Sequence, residues 1–115
     1  MIPRGSIVIV HLINPTEKLW GVLDALELVG VTLRGINVSS FDDWMATAAR
    51  GERALGLSTM FVPLFRVERI FLDEAVGEVE SYRQRFARRV GVQVERYLGL
   101  AAPEPDESEA SEVPS

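Results

Sequence analysis

The segment from Ile7 to Ile36, IVIVHLINPTEKLWGVLDALELVGVTLRGI, constrains the fold of this chain more than any other, because two architectures compete for it. It opens with a run, Ile7 to Ile13, that is aliphatic except for His11. Such a run is typical of a strand that is buried on both faces. Asn14 and Pro15 end it. The conformation of the residues that follow therefore decides the fold class.

One interpretation of those residues is a helix. Asn14 before Pro15 is a legitimate helix start, and a helix would give a strand–helix–strand opening that looks like an ACT or ferredoxin-like α+β domain. Such a domain would imply a small-molecule sensor, with its ligand near the NPTEKL turn. Against it, Gly21 in mid-helix costs about 1 kcal/mol, and no strand follows the last predicted helix, which leaves the topology incomplete. The helical spacing is carried by Leu19, Val22, Leu23, Leu26 and Val29.

The competing interpretation makes Lys18 to Glu27 a strand, joined to the first by the NPTE turn and bent at Gly21. The chain then has five strands, and VIVHLINPTEKLWGVL resembles the opening hairpin of the Sm-like (LSm) small β-barrels, with its glycine in the second strand. STMFVPLFRVERIFL is similar to the last two strands of that family. The resemblance spans Ser6 to Leu72. It implies a mainly β fold, a five-stranded Sm-like or SH3-like small barrel, and this is the fold class that we favour.

The resemblance also implies association with RNA, but it assigns no RNA-contacting residue. The RNA-binding tip of the bacterial Sm-like chaperone lies before its last strand, which corresponds to Pro63, Leu64 and Phe65 here. None of these side chains can hydrogen-bond a base or neutralise a phosphate. Any RNA contact of this chain must therefore lie elsewhere.

The remaining elements are predicted from local patterns. Ser40 followed by Asp43 resembles a capping box before FDDWMATAAR, which predicts a short inserted helix at about residues 40–50. Leu57 to Leu64 and Val67 to Leu72 are strand-like. Over residues 73–100 the apolar residues recur three or four apart, which predicts one long amphipathic C-terminal helix. These apolar positions are Val76, Val79, Tyr82, Phe86, Val90, Val94 and Leu98.

Charge is distributed unevenly along the chain. There are 17 acidic and 12 basic side chains, for a formal charge of −5. The five surplus acids all follow Pro103, in the sequence PEPDESEASEVPS. Such a composition cannot offset the entropy of ordering, so residues 101–115 are predicted to form a disordered acidic tail. The barrel of residues 1–72 and the helix of residues 73–100 then form a folded part without net charge.

Several function classes are excluded by composition. The absence of cysteine excludes disulfides, thiolate metal sites and thiol catalysis. The sequence has neither a cleavable signal nor an apolar run of the roughly 18 residues that a membrane helix needs. We therefore expect a cytoplasmic protein without membrane association. No nucleotide loop, metal-ligand set or catalytic constellation is present, so we expect neither a cofactor nor a bound metal nor enzymatic activity.

Two kinds of polar residue have simple structural interpretations. His11 is the only histidine, and within an apolar strand it is expected to be a core or barrel-mouth residue. Asp42 and Asp43, in the first turn of the inserted helix, are expected to interact favourably with its dipole. No acid–base or metal chemistry is assigned to them.

Four residues are candidate contacts to nucleic acid or to a protein partner. Trp44 either packs the inserted helix onto the barrel or offers an exposed anchor to a partner. Arg85, Arg89 and Arg96, at spacings of four and seven, would share one stripe of the long helix, where they could follow a phosphate backbone.

The predicted function is a non-enzymatic interaction module of the Sm-like type, assembled as a homo-oligomer with RNA as a candidate ligand. Edge strands would pair between subunits, because an exposed strand edge carries unpaired N–H and C=O groups. The alternative is an ACT-like small-molecule sensor or regulatory domain.

Overall fold

The computed structural model describes residues 1–52 and 56–100. Within these ranges the protein is mixed α/β, with one five-stranded antiparallel sheet and a few short helices. The predicted acidic tail, residues 101–115, lies outside the described residues. The strands are β1 (Ile7–Leu12), β2 (Glu17–Glu27), β3 (Gly30–Asn37), β4 (Ser58–Pro63) and β5 (Val67–Leu72), and the helices are α1 (Phe41–Ala49), α2 (Tyr82–Val90) and α3 (Val94–Tyr97).

The strands follow the order β4-β3-β2-β1-β5, and each pairs antiparallel with its neighbours. The strand predicted over Lys18 to Glu27 is therefore confirmed as β2. The helical interpretation of that segment is wrong, and with it the ACT or ferredoxin-like alternative. The helical spacing is misleading here because Leu19 to Leu23 are buried without a break, on both faces of the strand. Such a continuous apolar run also satisfies helical spacing.

Glycines bring β2 and β3 unusually close together at one point. Gly21 lies directly opposite Gly35 in the register. A Cβ atom on Gly21 would overlap the carbonyl oxygen of Arg34. The pairing register then shifts between Leu23 and Ala25, as at a β-bulge, which bends the strand. The close approach at Gly21 is one that only glycine permits, and the irregularity of β2 lies two residues beyond Gly21, the position where the bend is predicted.

The helices pack on one face of the sheet. Trp20 from β2 and Phe41 from α1 meet edge to face, with ring centroids 5.0 Å apart. Phe86 of α2 completes the aromatic centre of this cluster. Its buried members are Ile7, Trp20, Val22, Phe41, Trp44, Met45, Ala48, Phe86 and Val94.

The opposite face of the sheet also carries a buried core, although its buried members all belong to strands. Ile2, Met60, Val67 and Ile70 pack against it as partly buried residues. Its buried members are Val8, Val10, Leu12, Leu19, Leu23, Val31, Leu33 and Val62.

The inserted helix lies where it is predicted, but it begins differently. Ser40 precedes α1 without a side-chain hydrogen bond, so the proposed capping box with Asp43 is wrong. Instead, the Oδ1 atom of Asn37 accepts hydrogen bonds from the backbone N–H and the hydroxyl of Ser39, at 3.0 and 2.8 Å. A 3₁₀ turn, Val38–Ser40, leads from there into the helix.

The single long C-terminal helix predicted over residues 73–100 is wrong. Val76 and Val79 exchange two backbone hydrogen bonds of 3.0 Å in an exposed turn, so their spacing of three reflects a turn and not a helix. Helix α2 starts after Ser81, which forms a reciprocal capping box with Gln84. It ends at Gly91, whose φ of 90° is a left-handed conformation typical of helix ends.

Candidate interaction surfaces

The two outer strands of the sheet, β4 and β5, each have one edge without a strand partner among the described residues. Each is six residues long. Strand β4 exposes Phe61, while β5 exposes Phe71 and Leu72. An open backbone edge flanked by exposed apolar side chains is a surface suited to strand addition.

An exposed apolar tip lies at one end of the sheet, where the β2–β3 turn meets the short turn between β4 and β5. The backbone N–H of Leu64 donates to the carbonyl of Val29, at 3.0 Å, and joins the two turns. Leu28 is 96% exposed and Phe65 is 81% exposed. Leu64 is exposed as well. The surface there is apolar, as the sequence implies.

His11 lies in a row of three basic side chains, one on each of three neighbouring strands. Lys18 of β2 and Arg69 of β5 are its direct partners in the register. The imidazole meets Phe71 edge to face, with ring centroids 4.7 Å apart. Desolvation lowers the pKa of His11, Lys18 and Arg69 lower it further, and Glu68 opposes them. His11 is half-buried.

Trp44 is not available to a partner, because it is only 7% exposed. Its ring lies 5.6 Å from Trp20, 5.3 Å from Phe86 and 5.9 Å from Tyr97, centroid to centroid. It thus joins the sheet to all three helices. Of the two interpretations offered by the sequence, packing applies, and the exposed anchor is wrong.

Arg85 is likewise used inside the protein. Its guanidinium donates to Asp42 of α1 at 2.8 Å. It also lies over the rings of Phe41 and Tyr82, at 5.5 and 5.0 Å from their centroids. A cation held this way fastens α2 to α1 and is poorly placed for a phosphate.

The predicted arginine stripe is divided by the end of α2. Arg83 pairs with Glu95 at 2.6 Å, and Arg88 pairs with Glu80 at 2.5 Å. Arg89 is exposed on α2, whereas Arg96 is exposed on α3, beyond the break at Gly91. These two arginines form no ion pair within the part of the chain that the structure describes. Of the three arginines in the stripe, Arg89 and Arg96 therefore remain candidate contacts to a phosphate backbone.

Asp73 is a structural residue whose contacts the sequence did not predict. Only 2% exposed, it accepts hydrogen bonds from the Trp20 indole N–H at 3.0 Å and from the backbone N–H groups of Tyr82 and Arg83, both at 2.9 Å. The sequence places it at the start of the helix predicted over residues 73–100. It instead acts at a distance, fixing the start of α2 and joining it to β2. No local signal marks a contact between residues 20 and 73.

Within residues 1–52 and 56–100, no group of three histidine, aspartate or glutamate side chains is arranged to hold a metal ion. In the same ranges, no helix is long and apolar enough to cross a membrane. Comparison with family models, with curated proteins and with solved structures gave no match. The function must therefore be argued from the surfaces themselves.

Proposed function

We propose that the chain forms an Sm-like or SH3-like small barrel and acts as a non-enzymatic, homo-oligomeric interaction module of the cytoplasm. The observation that carries this proposal is the pair of open edges, β4 and β5, which have equal length and exposed apolar side chains. An exposed strand edge of this kind promotes aggregation unless another chain or element covers it.

The strand-only core supports a barrel-like curvature. Val8, Val10 and Leu33 are completely buried on the face of the sheet that is opposite the helices. A flat sheet would leave them in water. Curling of the sheet would let side chains from its different strands pack on one another, as in small barrels.

The two open edges are different surfaces, so pairing β4 of one subunit with β5 of the next is a heterologous contact. Repetition of such a contact closes a ring or extends a filament, according to the rotation between subunits. Backbone hydrogen bonds would then cover both edges, while Phe61 and Phe71 would be shielded by the neighbouring subunits.

Light scattering after size-exclusion chromatography tests the assembly. We expect a mass of several subunits for the native chain and a smaller one for Phe61→Lys, because the charge lies on the open edge. Val79→Lys is the matched control, since Val79 is exposed but lies outside the sheet edges. Circular dichroism would verify that both variants fold. A native chain that remains monomeric at every concentration would contradict the proposal.

RNA is the ligand class that we propose for this module, with Arg89 and Arg96 as contacts. The support is their exposure and lack of carboxylate partners among the described residues. The double variant Arg89→Gln and Arg96→Gln should weaken binding of a mixed-sequence single-stranded RNA. It should also reduce the salt dependence, by about 0.7 in the log–log slope for each lost phosphate contact. Arg34→Gln, an exposed arginine on the sheet, is the control. An unchanged slope in the double variant would argue against this site.

A further inference from the structure

Strand β5 is held to the protein by few buried side chains. Four of its six residues are exposed, and only Val67 and Ile70 pack against the core. Between its ends, β5 therefore depends largely on the backbone ladder to β1, which Ile13 extends at one end by donating to the Arg66 carbonyl and Asp73 at the other by donating to the Ile7 carbonyl. Side chains anchor only the two ends, through the Arg66 guanidinium and the buried Asp73 carboxylate. A strand with so little apolar burial is expected to open locally at low free-energy cost.

His11 lies near one end of this ladder, beside the place where pairing is least regular. It lies opposite Arg69, and the register between β1 and β5 shifts between His11 and Leu12. On its other side it lies opposite Lys18. The ring of Phe71 contacts the imidazole in a T-shaped arrangement. Glu68, the carboxylate that acts on His11, is paired with Arg69 at 3.0 Å.

We propose that His11 is a pH-sensitive switch for strand β5: the neutral imidazole allows β5 to dock on β1, and the imidazolium, placed between Lys18 and Arg69, promotes its release. Like charges directly opposite one another destabilise paired strands. Protonation would create two such pairs at once, one across each side of β1. Partial burial against Phe71 also disfavours the charged ring.

The direction of the pH dependence follows from the lowered pKa of His11. The docked state binds fewer protons than the released state, in which the imidazole has its ordinary pKa. The contribution of His11 to docking is therefore complete above the ordinary histidine pKa. It is lost as the pH falls through the lowered value.

The consequence for assembly rests on the proposed function, because β5 is one of the two edges that would pair between subunits. Release of β5 would remove that edge, so acidification would dissociate the oligomer. The opening of β5 itself does not depend on assembly and is measurable on any species.

Amide hydrogen exchange across about pH 5 to 8, the range in which histidine titrates, tests the switch. As the only histidine, His11 can be titrated by NMR in the same samples without ambiguity. After correction for intrinsic exchange, β5 amides should lose about twofold to tenfold in protection relative to β2 and β3 amides as His11 protonates. His11→Gln should abolish the loss, and Lys18→Gln should reduce it. Arg34→Gln, which removes a cation elsewhere on the sheet, should behave as the native chain.

Native β5 protection that does not change with pH, or a loss that persists in His11→Gln, would overturn the switch. If His11→Gln does not fold, an unchanged loss in Lys18→Gln would overturn it equally. Light scattering at both ends of the pH range separates the two proposals. A protein that is monomeric throughout but still loses β5 protection in acid would support the switch and contradict the assembly.

Discussion

The buried carboxylate of Asp73 offers a direct test of how the C-terminal helices are attached to the sheet. It accepts hydrogen bonds from the indole N–H of Trp20 and from two backbone N–H groups at the start of α2. The variant Asp73→Ala removes the acceptor and leaves all three donors in place. Two of them are ordinarily unpaired at any helix start and need an external acceptor.

The expected loss can be worked out from these contacts. Trp20 is completely buried, so its N–H would remain unsatisfied in the core, at a cost of about 1–3 kcal/mol. The two backbone groups of α2 lose a cap, which costs about 0.5–2 kcal/mol. Asp73→Ala should therefore lower the free energy of unfolding by about 1.5–5 kcal/mol, a large share of the roughly 5–15 kcal/mol of a typical domain.

A graded series sharpens this prediction. Asp73→Asn can keep one oxygen toward Trp20 and Arg83, which both donate to Oδ2, but its amide group would then face the N–H of Tyr82. It should lose about 1–2 kcal/mol. Glu74→Ala, at the neighbouring exposed carboxylate, should change stability by less than about 0.5 kcal/mol.

Urea unfolding followed by far-ultraviolet circular dichroism and tryptophan fluorescence gives these values. A double-mutant cycle of Asp73→Ala with Trp20→Phe isolates the indole contact, and we expect a coupling of about 1–2 kcal/mol. A loss in Asp73→Ala of less than about 1 kcal/mol, or one equal to that of Glu74→Ala, would refute the reasoning.

Three further substitutions test other parts of the fold by the same unfolding measurement. Gly21→Ala should cost about 2–4 kcal/mol, because its Cβ would overlap the Arg34 carbonyl, whereas Gly56→Ala, where space is open, should be nearly neutral; equal effects would contradict the close approach. Gly91→Ala should cost about 1 kcal/mol, since only the left-handed backbone opposes it, and no loss would argue against that helix end. Trp44→Ala should cost about 3–5 kcal/mol, and a change below about 1 kcal/mol would show that Trp44 is not a core residue.

Local patterns predicted most elements because each depends on neighbours in the sequence. The β-branched run of β1 and the turn at Asn14 are examples. Where one pattern serves two structures, the sequence left two interpretations open, as for β2, or gave a wrong prediction, as for residues 76–79. Both faces of β2 are buried, so its apolar residues also fit a helix. The spacing of Val76 and Val79 fits a helix, yet the two residues close an exposed turn.

The candidate contact residues were likewise predictable only in part. Arg85, Arg89 and Arg96 were grouped by spacing on one helix, and the break at Gly91 separates the last from the other two. Arg85 is not a candidate phosphate contact either, because it forms an ion pair with Asp42, which lies 43 positions earlier in the sequence. Neither the partner of Arg85 nor the burial of Trp44 could be predicted from spacing, since both depend on the packing of α2 against α1.

The sequence by itself determined the strand-rich fold, the inserted helix, the confinement of surplus charge to the C-terminus and the lack of thiol chemistry. Those properties follow from composition and from patterns within a few residues. Only the tertiary structure decided which sheet edges are open, which arginines are exposed, and that Asp73 binds Trp20 across 53 positions. These depend on contacts between distant residues, whose free energy is set by burial and geometry rather than by local propensity.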